Sequence, residues 1–136
     1  MLLLDTHVWI WTVDADERRV GHATRRQLVR ATADAGLRIS PVSLFEVTAL
    51  HVNGRIHFSR PLERWLHDAL EHVRLAELTA EIAVDAGHIP RTALPDPMDR
   101  LLVATARQLE CPLVTGDDAI LAYARDGHVR VHDASR

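Results

Sequence analysis

Apolar residues in this chain follow two rhythms. Short unbroken runs such as Leu2-Leu3-Leu4 have the length and composition of buried strands, while longer stretches repeat their apolar residues as one face of a helix. The first run reads as a strand over Leu2 to Asp5, followed by a compact apolar helix around Val8 to Val13. Gly21 to Asp34 shows helical spacing, with Leu28 and Val29 set against Arg25, Arg26 and Arg30. A turn at Gly36 opens a second strand, Leu37 to Ser40, which Pro41 ends. A helix from Ser43 to about Val52 follows, stopped by the turn signal Asn53-Gly54. Pro61 begins another helix, through Trp65, Leu66, Ala69, Leu70 and Val73. Leu75 to Leu78 is expected as a third strand, and Thr79-Ala80-Glu81 starts a short helix reaching Ala86. After a loop from Pro90 to Pro95, Pro97 sits at a favoured first-turn position of a helix running to Leu109. Pro112 to Thr115 is strand-like, Asp118 to Arg125 helical, and Val129 to His132 a final short strand. Strands alternating with helices imply an α/β fold, a parallel sheet covered on both faces.

Composition narrows the possibilities. A length of 136 residues fits one domain, residues 1–136, large enough to bury a sizeable core. Asp5 interrupts the N-terminal apolar run, with no basic segment before it, so a strand is expected there and not a signal peptide. No run of about 18 apolar residues is free of charge, so no membrane span is expected and the protein is expected in the cytoplasm. The single cysteine, Cys111, has no internal disulfide partner and offers no zinc pattern. Net charge is −3, which argues against coating nucleic acid by bulk electrostatics and leaves only local contacts. All 16 basic residues other than histidine are arginine. Lacking lysine, the chain has neither a Walker A loop nor a Schiff-base amine, nor the strand-end lysine of a phosphorelay receiver. The pairs Arg18-Arg19 and Arg25-Arg26 suit bidentate contact with phosphate, although a solvated helix face is the commoner reason for such pairs.

The candidate chemistry lies in acids at strand ends and helix starts: Asp5, Glu46, Asp96, Asp99 and Asp117. Each has a local explanation. Asp5 and Asp96 stand where helix N-caps stand, Ser43-x-x-Glu46 matches a capping box, Asp99 complements a helix dipole, and Asp117 lies in a Thr-Gly-Asp-Asp turn, where aspartate is common for backbone reasons. Their order carries more than any one of them. A parallel α/β fold gathers residues at the carboxyl ends of its strands into one crevice. Carboxylates crowded there repel unless a cation joins them, and hard divalent cations prefer oxygen ligands.

Four segments carry a resemblance: Leu-Leu-Leu-Asp5-Thr-His7-Val-Trp9, Ser40-x-x-Ser43-Leu-Phe-Glu46-Val, Asp96-Pro-x-Asp99-Arg-Leu-Leu-Val-Ala-Thr-Ala and Leu113-Val-Thr115-x-Asp117. Together they resemble the PIN-domain family, specifically its VapC-like toxins, over nearly the whole chain. The resemblance implies a three-layer α/β/α fold with a central parallel sheet of four to five strands. It implies an acidic cluster of Asp5, Glu46, Asp99 and Asp117, with Thr115 helping to orient Asp117 and Asp96 as an accessory. It further implies Mg²⁺ or Mn²⁺, one or two ions, RNA as substrate, a cognate VapB-like antitoxin that blocks the site, and a homodimer. Gly116 replaces the larger residue often found there, which is expected to loosen the turn. A catalytically inactive PIN-like interaction module and a nuclease acting on DNA stay open as alternatives, because fold alone does not fix activity.

Other features carry less. Nine histidines show no His-Glu-x-x-His and no Cys/His cluster, so a histidine metal site is not expected. His7 lies near the acidic crevice. Trp9 and Trp11 point in different directions on a helix, so one belongs to the core and the other faces outward.

Overall fold

The computed structural model describes residues 1–16 and 18–136. Its strands are β1 (Leu2–Leu4), β2 (Leu37–Ile39), β3 (Arg74–Leu75), β4 (Leu113–Thr115) and β5 (Val131–Asp133), all parallel, in the order β3-β2-β1-β4-β5. Its helices are α1 (Thr6–Val13), α2 (His22–Ala33), α3 (Pro41–Val52), α4 (Leu62–Ala69), α5 (Ala80–His88), α6 (Pro97–Leu109) and α7 (Asp118–Arg125). The expected α/β architecture is present, with five strands.

Period-two alternation in the central strands builds two cores. Leu2 and Leu4 of β1, with Val114 of β4, pack against Val8, Trp9, Leu28, Val47 and Trp65 from α1 to α4. Leu3 and Leu113 face the other way, onto Leu102, Val103, Ile120 and Tyr123 of α6 and α7. Strands buried on both faces explain why these runs read as continuously apolar. On the first face the indoles of Trp9 and Trp65 meet edge to face at 5.3 Å. Their N–H groups donate to Ala69 O at 3.2 Å and Asp14 Oδ1 at 2.9 Å, so neither leaves a buried donor unpaired.

Several element ends differ from the sequence expectation. The pattern starts α3 at Ser43; the structure starts it at Pro41, because Ser40 is the N-cap, accepting from Val42 N at 3.1 Å, and a first-turn proline needs no N–H. Ser43 is consequently buried inside the helix. Helix α4 stops at Ala69 instead of continuing through Val73, and the two-residue β3 begins one position earlier than expected and ends at Leu75. The last strand is shifted to Val131–Asp133, and α5 runs on to His88. By contrast α6 and α7 span the expected residues.

Sheet order decides where a site forms. From β1 the chain proceeds outward through β2 to β3, then returns to the other side of β1 for β4 and β5. The β1/β4 boundary is the topological switch point, and the crevice beyond its carboxyl ends is the usual ligand position in such sheets. Among the described residues, no helix is long and apolar enough to cross a membrane.

Candidate active site

Asp5 follows β1 and Asp117 follows β4, so parallel pairing of Leu4 with Val114 brings the two turns side by side at the switch point. Asp99 reaches the same place from the first turn of α6, and Glu46 from α3. These four acids, with Asp96, His7, Trp11 and Gly116, line a cavity of about 270 Å³. Every acid proposed from the sequence thus reaches one cavity, and among the described residues no arginine lines it.

Local chemistry holds each carboxylate differently. Asp5 is at the N-cap position of α1 yet makes no side-chain cap bond. Its Oδ2 instead accepts the Thr115 hydroxyl at 2.6 Å, and the backbone N–H of Asp117 donates to that same hydroxyl at 3.1 Å. Thr115 therefore ties Asp5 to the Asp117 turn, beyond the single role that the resemblance implies. Asp117 is a true N-cap, accepting from Ile120 N at 3.0 Å with Oδ1, which leaves Oδ2 for the cavity. Asp96 caps α6 by accepting from Met98 N at 2.9 Å and is exposed at the rim. Gly116 does not have a left-handed backbone, and a side chain there would meet Trp11 at 3.7 Å, an ordinary contact.

Glu46 is not a capping-box partner. Thr6 donates its hydroxyl to Glu46 Oε1 at 2.8 Å and sits 2.8 Å from Ser43 Oγ. A hydroxyl carries one proton, so with Thr6 donating to Glu46 the Ser43 hydroxyl donates to Thr6. Ser43 and Glu46, three positions apart, share the face of α3 that meets α1. The spacing that suggests a capping box in the sequence serves this relay instead. Thr6 and Ser43 are the residues that sequence reasoning misses; the available signal is a buried hydroxyl directly after Asp5.

Electrostatics report the crowding. Burial pushes the Asp5 carboxyl above its ordinary range, opposed by the Thr115 hydrogen bond and by His7. Glu46 is raised for the same first reason, opposed by Thr6, and raised further by Asp5 and Asp96. Asp99 is pushed up to about 8, first by burial and then by the charges of Asp117, Asp96, Asp5 and Glu46. A carboxyl that feels four others, with no facing arginine, holds a proton near neutral pH unless a cation replaces it. The carboxylates that line the cavity are hard oxygen donors, the chemistry that suits a hard divalent cation.

A second group, His67 and Asp68 of α4 with Glu71 in the turn after it, brings ligand atoms within 4.8 Å of one another. There Asp68 is engaged by Arg60 at 3.1 Å and Arg64 at 3.8 Å, so that face is an ion-pair network on the surface.

A family model, the PIN domain, matches residues 2–126. The chain is 32% identical over 130 residues to Ribonuclease VapC22 of Mycobacterium tuberculosis, covering 96% of this chain and 97% of the relative. Its fold resembles that of DNA-bound VapBC from Salmonella typhimurium, with a TM-score of 0.68 at 20% identity over 97% of this chain and 96% of the other. It also resembles a toxin-antitoxin complex from Klebsiella pneumoniae, with a TM-score of 0.57 at 18% identity, covering 86% and 87% of the two chains.

Proposed function

The chain belongs to the PIN domain family, and from its acidic cavity we propose that it is a metal-dependent endoribonuclease, the toxin of a VapBC-type pair. The observation that carries this reading is the convergence of Asp5, Glu46, Asp99 and Asp117 on one cavity, where burial and four neighbouring carboxylates raise Asp99. Helix caps need no such convergence; a cation site does.

Asp5 and Asp99 are the direct ligands in this reading, Glu46 is a ligand or positions water, and Asp117 acts directly or through water. When bound, one or two Mg²⁺ or Mn²⁺ ions supply positive charge to phosphate oxygens and activate water as the nucleophile. The chain's own residues do the positioning. Thr115 fixes Asp5 against the Asp117 turn, and Thr6 with Ser43 fixes one Glu46 oxygen so that the other faces the cavity. His7, exposed at the rim, favours the charged forms of Asp5 and Glu46. No residue need bond covalently to the substrate. Single-stranded or looped RNA is the substrate class whose phosphates enter such an open cavity. Resemblance to Ribonuclease VapC22 and to solved VapBC complexes supports RNA as substrate and a VapB-like antitoxin as the partner that covers the site.

The test is a cleavage assay on protein freed of antitoxin, with RNA and matched single-stranded DNA. RNA is expected to be cut only with Mg²⁺ or Mn²⁺ present, and EDTA to stop it. Full-rate cleavage in chelator removes the metal mechanism, and preferential cutting of DNA overturns the substrate. No cleavage, with no rise in melting temperature on adding Mn²⁺, leaves an interaction module.

A further inference from the structure

The three tryptophans differ in what they face. Trp9 and Trp65 are fully buried, whereas Trp11, half-buried at the same helix as Trp9, forms a wall shared by two hollows. One is the acidic cavity. The other is a groove of about 210 Å³ between the end of α1 and α2, lined by Thr12, Ala15, Val20, Leu28 and Val29 beside Trp11, with Asp16 and Arg25 at its edge. Val20 and Leu28 are its buried floor, while Val29 is 71% exposed at its lip. The Arg19 guanidinium lies 5.5 Å from the Trp11 ring centroid, and the His7 ring 6.1 Å from it on the cavity side. Because residue 116 is glycine, no side chain separates the indole from the turn that carries Asp117.

A flat apolar slot, arginines at its mouth and a phosphate-handling cavity across one indole match one kind of ligand. A nucleotide presents a flat base and an anionic phosphate held a fixed distance apart. We propose that Trp11 is a base-stacking wall: a nucleobase of single-stranded RNA, next to the phosphate being cut, lies in the α1/α2 groove against the indole. This subsite rests on the ribonuclease reading of the acidic cavity. Arg19 and Arg18 meet the backbone phosphate at the groove mouth. Both pair with Asp16, at 3.3 Å and 3.8 Å, and their side chains are 61% and 93% exposed, so a phosphate exchanges with a weak surface partner. An apolar side chain of a protein partner also fits a greasy slot, but charge favours the polyanion: the acidic cavity repels phosphate without its cation, and the arginines beside the slot attract it. Stacking on an aromatic wall tolerates all four bases, so this subsite adds affinity and register with little sequence preference.

Intrinsic fluorescence provides the readout, since Trp9 and Trp65 are shielded from solvent. The probe is a mixed-sequence single-stranded oligoribonucleotide, titrated into the Asp99→Asn protein so that binding is measured without cleavage. RNA is expected to quench the fluorescence and to shield it from acrylamide, and Trp11→Phe in the same background to abolish that signal while retaining most of the affinity. Trp11→Ala should weaken binding about tenfold or more, the usual effect of removing one stacking ring. Val29→Glu, a change at an exposed position, should weaken binding as well without lowering the melting temperature. The proposal is overturned if both variants bind RNA as tightly as their parent while the native protein cleaves RNA. It is also overturned if a VapB-like antitoxin quenches Trp11 and RNA does not, which makes the groove a protein-docking surface. If the native protein cleaves nothing yet RNA still quenches Trp11, the nuclease reading fails and the stacking wall stands. Absence of RNA binding overturns both.

Discussion

On the β1 and α3 side of the acidic cavity, Asp5 and Glu46 each accept a threonine hydroxyl, at 2.6 and 2.8 Å, whereas Asp99 on the α6 side has no hydrogen bond among the described residues. The consequence is a division of labour between the two walls. A donated hydroxyl favours the charged carboxylate and fixes its direction. Asp99 has burial and four like charges acting on it, and no hydrogen bond among the described residues offsets them. The threonine-held wall is shaped by the fold before a cation arrives. In the proposed site the α6 wall would take up its charge only when a cation binds, and would otherwise keep a proton.

The largest effect expected from this comparison is at Asp99. Asp99→Asn should reduce metal-dependent RNA cleavage about a hundredfold or more, because in the proposed site it removes a ligand that helps place several kcal/mol of cationic stabilisation. In metal-free protein the same change should leave stability equal or improve it. The sign follows from linkage. The folded protein holds a proton on Asp99 up to about pH 8, while the unfolded chain releases it near the ordinary aspartate value of 3.8. Stability contributed by that proton is complete below about pH 4 and is lost as pH rises through about 8. Chelated wild-type protein should therefore melt at lower temperature as pH is raised across this window, and Asp99→Asn should flatten the trend. Some slope should persist, since Asp5 and Glu46 are raised in the same direction. Equal slopes in the two proteins would show that Asp99 is not the proton-holding wall.

A smaller effect of opposite sign is expected on the held wall. Thr115→Val keeps the shape of a fully buried side chain but removes the donor to Asp5 and the acceptor for Asp117 N. Leaving these groups unpaired should lower the stability of chelated protein by about 1–3 kcal/mol. Asp5 should also become harder to ionise, weakening the response of melting temperature to Mn²⁺. Denaturant unfolding in EDTA, beside Mn²⁺ titrations, measures both. A Thr115→Val protein as stable as its parent would erase the distinction between the two walls.

These walls were not equally legible in the sequence. Helices α6 and α7 are readable to the residue: an aspartate cap and an early proline mark the first, and the Thr-Gly-Asp-Asp turn precedes the second. The acids those signals flag, Asp96, Asp99 and Asp117, were found with them. Edge strands were less readable. β3 has two exposed residues, Arg74 and Leu75, and β5 is only partly buried, so neither shows the apolar run that identifies β1 and β4. The hydroxyl relay lay beyond local reading because Thr6 meets Ser43 and Glu46 across 37 and 40 positions. A capping box and a helix face turned toward a neighbour share the same three-residue spacing, and only packing of α1 against α3 decides between them.

The smallest predicted effect concerns Asp96, which belongs to neither wall. Its Oδ1 is taken by Met98 N at 2.9 Å and the residue is exposed, so it is first a helix cap. Its charge nevertheless reaches inward, contributing to the raised positions of both Asp99 and Glu46. The two roles separate by substitution, because serine caps a helix without carrying charge. Asp96→Ser should retain the parent's stability, while Asp96→Ala should lose about 1 kcal/mol with the cap. Mn²⁺ affinity should fall only a few-fold, and to the same extent in both, because water and salt screen a charge at the rim. Equal metal responses with unequal stabilities would leave the cavity with four ligating acids and one cap that tunes them. A hundredfold loss of cleavage in Asp96→Ser, matching that expected for Asp99→Asn, would instead move Asp96 into the ligand set. The α6 wall would then consist of two carboxylates on one helix start, and Asp99 would no longer depend on the cation alone.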